Sequence, residues 1–212
     1  MISTLLSQSE QEKLIRKLEI FKIQGRDKRD RPILRVIGKL FPGNAIARLV
    51  TVDTVKKYLE DEIFPSLDGR PFSVVYVHTG VNRGDNFPGI SALKSLYDAV
   101  PVKVRDNLEA FYFLHPGIQS RLFLATFGRI LFTGGAGGGL YGKVNYINRL
   151  EFLWDRVRRR GIEMPEFVHE FEEEMECRPT MDYGLESDHP GIIHGGPCLD
   201  STVSTYSMRC IA

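Results

Sequence analysis

Cysteine and tryptophan are scarce in this sequence. Its 212 residues include three cysteines and one tryptophan. Cys177, Cys198 and Cys210 all fall within the last 36 residues, outside the predicted core. An odd number of cysteines in such a position argues against a disulfide framework and indicates a reducing compartment.

Net charge and long apolar runs are lacking as well. The formal charge is +1, so no global field attracts nucleic acid, and an anionic membrane has to be met by a local patch. No run approaches the roughly 18 apolar residues of a membrane-spanning helix, and the first residues lack the pattern of a signal peptide. We therefore expect a cytoplasmic protein without a nucleic-acid partner, associated with membranes at most peripherally.

The order of apolar and helical patterns predicts the fold class. Ser7 and Glu10 indicate a capping box on an opening helix. Beyond a β–β pair, strands alternate with helical crossovers, which predicts an α/β fold with a mostly parallel sheet flanked by helices. The main predicted strands are 71–78, 110–115 and 143–148, and the main predicted helices are 53–66, 118–132, 148–161 and 163–176. We expect an N-terminal helix at 1–18, a folded domain at 19–176 and an extended or disordered tail at 177–212.

The glycine-rich stretch GAGGGLYGKV at 135–144 matches the beginning of a P-loop and also the dinucleotide fingerprint. Both motifs need a strand before the glycines and a helix after them, so that the helix N-terminus meets the phosphates. Here the order is reversed, because helix 118–132 precedes the glycines and a strand follows. Val144 also stands where a P-loop has its Mg²⁺-binding Ser or Thr. The stretch is interpreted as a connector, and no nucleotide cofactor is expected.

Catalytic and metal-binding patterns do not stand out either. The sequence contains no Gly-x-Ser-x-Gly elbow, and we find no supported Cys/His pair or carboxylate dyad. His189, His194 and Cys198 lack an evident fourth ligand for zinc. We therefore expect neither an enzyme nor a metal site, and no cofactor apart from a bound phospholipid.

A series of segments in a fixed order resembles a known family. The segments are GRDKRDRPILRV, FSVVYVHTGV, FYFLHP, SRLFLATFGRILF, GKVNYI, RLEFLWDRV and EMPEFV. Together they resemble the CRAL-TRIO lipid-binding family, in its divergent, BCH-like branch, and so phosphatidylinositol-transfer-like proteins. Asp30 stands where that family usually has glycine. The resemblance implies a sheet that forms the floor of an apolar cavity, with one helix as its lid.

The resemblance assigns the lid to helix 118–132, which is apolar over much of its circumference. A helix buried on all sides would have the same pattern, so the composition leaves both interpretations open. The residues expected to line the acyl cavity or to form the lid are Phe111, Phe113, Leu122, Phe123, Phe127, Ile130 and Leu131.

The head group of the lipid has its own candidate residues. In the family, a carboxylate before the fourth strand and a lysine that begins the next strand help to bind an inositol phosphate. Asp106 and Lys143 resemble these positions, with two surface charges as the alternative. His115 ends a strand at the expected rim of the cavity, as a ligand contact or as a neutral imidazole bonded to the backbone.

Two basic clusters complete the candidates. Lys28, Arg29 and Arg31 lie at the predicted hairpin, and Arg158 and Arg159 at the end of a predicted helix. Such groups dock a protein onto an anionic bilayer, although arginines in the last turn of a helix also suit its dipole. We therefore expect non-catalytic binding or transfer of a phosphoinositide or another glycerophospholipid. The alternative is a protein-interaction module that binds a small GTPase or a second copy of itself.

Overall fold

The computed structural model describes residues 6–41, 50–67, 69–82, 84–131 and 140–177, with side chains of 129–131 outside the description. The helices are α1 Gln8–Lys17, α2 Val52–Tyr58, α3 Phe64–Leu67, α4 Ile90–Ala99, α5 Val102–Asn107, α6 Ile118–Leu131, α7 Leu150–Trp154 and α8 Glu166–Cys177. The strands are β1 Phe21–Arg26, β2 Pro32–Ile37, β3 Phe72–Val77, β4 Leu108–Leu114 and β5 Val144–Ile147. None of the helices within these ranges combines the length and the apolar character needed to cross a bilayer.

The five strands form one sheet in the order β1-β2-β3-β4-β5. Strand β1 pairs with β2 antiparallel, and the three other pairs are parallel. The prediction of an α/β fold with a mostly parallel sheet is thus confirmed. The capping box is also present, because Ser7 Oγ accepts from the backbone of Glu10 while the Glu10 carboxylate accepts from the backbone of Ser7.

The two faces of the sheet carry different side chains. What we call the aromatic face consists of Leu34, Val36, Val74, Tyr76, Phe111, Phe113, Val144 and Tyr146. Helices α1 to α5 supply most of the apolar side chains packed on it, among them Ile15, Val55 and Leu96. The aliphatic face consists of Ile33, Ile37, Val75, Val77, Ala110, Tyr112, Leu114 and Ile147, and its core includes residues of α7 and α8.

The segment after β5 differs from its prediction. The sequence pattern predicts a helix to Gly161, but α7 ends at Trp154. Val157 then pairs with Asp27 across an antiparallel bridge, and Arg158 donates its backbone N–H to the carbonyl of Arg26. Leaving the helix lets the chain bond to the β1–β2 turn and bury Val157 completely. Because the helix has already ended, the dipole interpretation of Arg158 and Arg159 does not apply.

Asp27 joins three strands at the edge where the parallel strands begin. It is completely buried and accepts hydrogen bonds from the backbone of Arg29, the backbone and guanidinium of Arg31 and the hydroxyl of Ser73. Arg31 also contacts Glu109 at the start of β4, at 3.3 Å. Burial raises the pKa of Asp27, but the hydrogen bonds from Arg31 and Ser73 outweigh it and hold the pKa below its usual value.

Replacing Asp27 with alanine is expected to lower the free energy of unfolding by about 3–5 kcal/mol, because the largely buried guanidinium of Arg31 loses its closest carboxylate and Ser73 loses its acceptor. Urea unfolding at pH 7 measures this loss. Since folding lowers the pKa of Asp27, its contribution is complete above about pH 4 and disappears as the pH falls through the folded-state pKa. The difference between the wild type and the variant should therefore shrink in acid.

Asp30→Asn is the matched control in the same turn. Asp30 is 61% exposed at its side chain and has a φ of 64°, a conformation that asparagine tolerates. We expect this change to cost less than about 1 kcal/mol. Equal losses in the two variants would contradict the special role of Asp27.

Candidate functional site

A row of aromatic rings crosses the sheet from β3 to β5. Tyr76 lies opposite Phe113, which in turn lies opposite Tyr146. The ring centroids are 5.1 Å apart in the first pair and 6.0 Å apart in the second. Tyr76 and Phe111 are only half-buried, and Tyr146 is 37% exposed. This part of the aromatic face is therefore covered less completely than the part under α1 to α3.

Helix α6 runs beside this row and exposes much of its apolar surface. Leu122 is 63% exposed and Phe127 is 48% exposed. Within Ile118–Gly128, where side chains are described, only Gly128 is buried, so the helix is not buried on all sides. Phe123 contacts Phe127 and Phe87. Of the predicted cavity residues, Ile130 and Leu131 lie outside the described side chains.

We define the recess as the region of the aromatic face beside α6, and we take this region as the candidate lipid site. Its floor consists of Tyr76, Phe111, Phe113 and Tyr146. His78 lies at its end, with ring centroids 4.9 Å from Phe113 and 5.8 Å from Tyr76. Burial, followed by the charge of His115, lowers the pKa of His78 to about 4.

The three predicted head-group residues do not form one cluster. Asp106 is exposed near the end of α5, just before β4, and Lys143 is half-buried in a short turn just before β5. Because β4 and β5 are parallel, both residues belong to the edge of the sheet where these strands begin, which we call the amino edge. His115 follows β4 at the opposite, carboxyl edge, beyond a seven-residue strand of about 23 Å.

His115 is already engaged with other side chains rather than with the backbone alone. Its Nδ1 is 2.7 Å from the Thr79 hydroxyl, and its Nε2 is 2.8 Å from the Glu172 carboxylate. Burial lowers the pKa of His115, although Glu172 opposes this shift. A head group could bind His115 only by displacing one of these partners. The arrangement fastens α8 to the sheet, and Arg149 adds an ion pair with Glu172 at 3.4 Å.

The two basic clusters form one surface. The backbone N–H of Lys28 donates to the carbonyl of Arg156, which brings the β1–β2 turn beside the segment after α7. We define the basic surface as the exposed residues Arg26, Lys28, Arg29, Arg156, Arg158, Arg159 and Arg160. The acidic residues Asp30 and Asp155 lie among these seven cations, so the formal charge of this area is 7 − 2 = +5. The formal charge of the whole chain is +1.

Arg31 does not belong to this surface. Its side chain is only 14% exposed and is bonded to Asp27 at 2.6 Å. The prediction that Arg31 contacts a membrane is therefore wrong, because its charge is used inside the fold. Asp30 partly neutralises the surface through Arg158, at 2.8 Å.

A cleft of about 560 Å³ lies where the recess ends at β5. Its lining residues are Arg121, Tyr146, Ile147, Asn148, Phe152, Asp155 and Arg156. Arg121 bonds the carbonyl of Pro116 and the side chain of Asn148, and its guanidinium lies over the Tyr146 ring. These contacts fix the beginning of α6. Because Arg156 also lines it, the cleft reaches from α6 to the basic surface.

Glu172→Ala should loosen α8, because His115, Arg149 and the backbone N–H of Leu150 lose a common acceptor. We expect hydrogen exchange of the α8 amides to accelerate at least tenfold, equivalent to a local loss of about 1.4 kcal/mol. Glu174→Ala, an exposed position on the same helix, is the control and should leave exchange unchanged. Similar acceleration in both variants would contradict the fastening role of Glu172.

Comparison with known proteins agrees with this architecture. A model of the divergent CRAL/TRIO domain matches residues 30–174. Ganglioside-induced differentiation-associated protein 2 of Xenopus tropicalis is 30% identical over 152 residues, which cover 70% of this chain and 28% of that protein. Protein GDAP2 homolog of Drosophila melanogaster is 25% identical over 148 residues, which cover 70% of this chain and 25% of that protein.

A third similar protein is Protein GDAP2 homolog of Nematostella vectensis, which is 32% identical over 106 residues, 49% of this chain and 19% of that protein. The matched part of this chain thus spans about a quarter or less of each relative's length. The family model covers more than half of this chain and coincides with the observed sheet and its helices. The chain therefore belongs to the divergent CRAL/TRIO domain family, and this membership indicates a lipid-binding module.

Proposed function

We propose that this chain binds a glycerophospholipid non-catalytically in the recess and exchanges it with membranes. The observation that carries the proposal is the apolar surface of α6, where Leu122 and Phe127 stay largely exposed beside a half-covered aromatic row. Exposed large apolar groups grouped in this way are typical of binding surfaces. A lid that meets lipid when open and the sheet when closed needs such a surface.

The energetics of exchange favour a recess of this kind. Each acyl CH₂ gains about 0.8 kcal/mol on leaving water, but a lipid in a bilayer already has this gain. The free energy of transferring a lipid between a bilayer and an apolar recess is thus close to zero. A few polar contacts then decide which lipid is retained.

The amino edge carries the groups suited to a phosphorylated head group. Lys143 is a cation for the phosphate, and Asp106 is an acceptor for sugar hydroxyls. The basic surface lies at the same edge, since the β1–β2 turn leads directly into β2. This supports a phosphoinositide as the ligand, without His115 as a third contact.

Docking onto the membrane is assigned to the basic surface. Each basic side chain near an anionic bilayer contributes about 1 kcal/mol, and salt screens this attraction over about 10 Å. A local charge of +5 therefore supports weak and reversible binding, with Lys28, Arg29, Arg158 and Arg159 as the predicted contacts.

Lipid binding is tested by native mass spectrometry after incubation with vesicles that contain phosphatidylinositol. The wild type should retain one phospholipid per chain. Leu122→Ser combined with Phe127→Ser should weaken retention at least tenfold, because losing part of two apolar contacts costs about 1.4 kcal/mol or more. Val102→Ser removes a 58% exposed apolar group from α5 and should have no effect. A wild type that stays free of lipid would overturn the proposal in favour of a protein partner, either a small GTPase or a second copy.

Docking is tested by cosedimentation with vesicles of phosphatidylcholine and phosphatidylserine. Lys28→Ser combined with Arg29→Ser should reduce binding roughly 30-fold at low salt, at about 1 kcal/mol for each charge. The control pair, Lys94→Ser with Lys103→Ser, removes the same charge from exposed positions on α4 and α5 and should change binding less than about threefold. An equal loss of vesicle binding in the two double variants would show that binding depends only on the total charge and not on the basic surface.

A further inference from the structure

His78 places its polar ring beside the aromatic row, at the carboxyl edge of the sheet. It directly follows β3, and its backbone N–H donates to the carbonyl of Leu114 at 3.0 Å. Tyr76 and Phe113 contact the ring from the aromatic face. The residue is half-buried, so part of it remains accessible.

The Nδ1 atom of His78 is buried and has no hydrogen-bond partner among the residues that the structure describes. His115, at the end of the adjacent strand, has partners for both ring nitrogens. Buried polar atoms nearly always have a partner, so this nitrogen needs one that the described residues do not supply. Rotating the imidazole by 180° exchanges the positions of its two nitrogens. A neutral imidazole has one donor and one acceptor nitrogen, so it can present either one to the recess.

The ring is neutral at physiological pH, because burial holds its pKa at about 4. A neutral imidazole among aromatic rings suits an uncharged oxygen, such as a hydroxyl or a carbonyl, better than a phosphate. Five positions of parallel strand, about 16 Å, separate the level of Lys143 from that of His78. Acyl chains in one leaflet span about 15 Å, half of the hydrocarbon core. A chain whose head group lies at Lys143 thus reaches the level of His78 only near its methyl end.

We propose that His78 binds an uncharged oxygen in the hydrocarbon part of the ligand, so that the recess selects phospholipids with an oxygenated acyl chain. The selection rests on the proposed lipid function. A plain chain leaves the imidazole unpaired in an apolar site, whereas a chain with a hydroxyl or an oxo group near its methyl end gives the imidazole a hydrogen-bond partner. His78 is then a specificity-determining residue.

Competition between matched lipids tests this selection. The full chain is incubated with vesicles holding equal amounts of a stearoyl and a hydroxystearoyl phospholipid with the same head group, and native mass spectrometry counts the retained species. The wild type should prefer the hydroxylated lipid about tenfold, as expected for satisfying one buried polar group. An oxo-stearoyl lipid in a parallel experiment distinguishes a carbonyl from a hydroxyl ligand.

Two variants assign the preference to His78. His78→Phe should bring the ratio to about one without weakening retention of the stearoyl lipid, and His78→Asn, which keeps a donor and an acceptor, should restore a preference. A wild type without preference, or a preference that survives in His78→Phe, would overturn the inference while leaving phospholipid binding intact. Retention of neither phospholipid would instead overturn the lipid function itself.

A measurement on the wild type covers the case in which the variants do not fold. The ¹⁵N chemical shifts of the His78 ring should change when the protein is loaded with the hydroxylated lipid and not when it is loaded with the stearoyl lipid. Identical ring shifts with the two lipids would contradict a hydrogen bond to the ligand.

Discussion

The buried carboxylate of Asp27 is the interaction on which the amino edge of the sheet depends. It gathers the backbone of the β1–β2 turn, the guanidinium of Arg31 and the hydroxyl of Ser73 into one cluster. Val157 pairs with this same residue, so the segment after α7 follows the turn. One internal charge thus determines where the exposed charges of the basic surface stand.

Most of the fold could be predicted from local patterns. The capping box at Ser7, the buried strands around Val75 and Phe113 and the helical crossovers all follow from apolar spacing and turn chemistry. The end of α7 could not be predicted, because it depends on backbone partners in the β1–β2 turn more than a hundred residues away. Local spacing carries no information about such a partner. Asp30 was found where the family has glycine, and its φ of 64° explains that preference.

The candidate site was less predictable than the fold. Residue types suggested Asp106, Lys143 and His115 as one group, but strand direction puts His115 at the other edge, where Thr79 and Glu172 occupy its ring. Arg31 looked like its exposed neighbours, since sequence alone does not tell a cation in a buried pair from one in water. The unpartnered nitrogen of His78 became visible only with the packing around it, because a strand-end histidine can equally well be fully bonded.

The separation of charge in this chain has a consequence for how it meets a bilayer. The described residues include 24 basic and 22 acidic ones, so those outside the basic surface carry 24 − 22 − 5 = −3. Within the part of the chain that the structure describes, positive charge is thus concentrated on the basic surface although the net charge is small. For the proposed membrane docking, this separation implies a torque as well as a weak attraction above an anionic leaflet, which would turn the amino edge toward the lipid before contact. In the proposed docking, the protein is then oriented before it reaches the bilayer, and its small net charge keeps each encounter with the bilayer short.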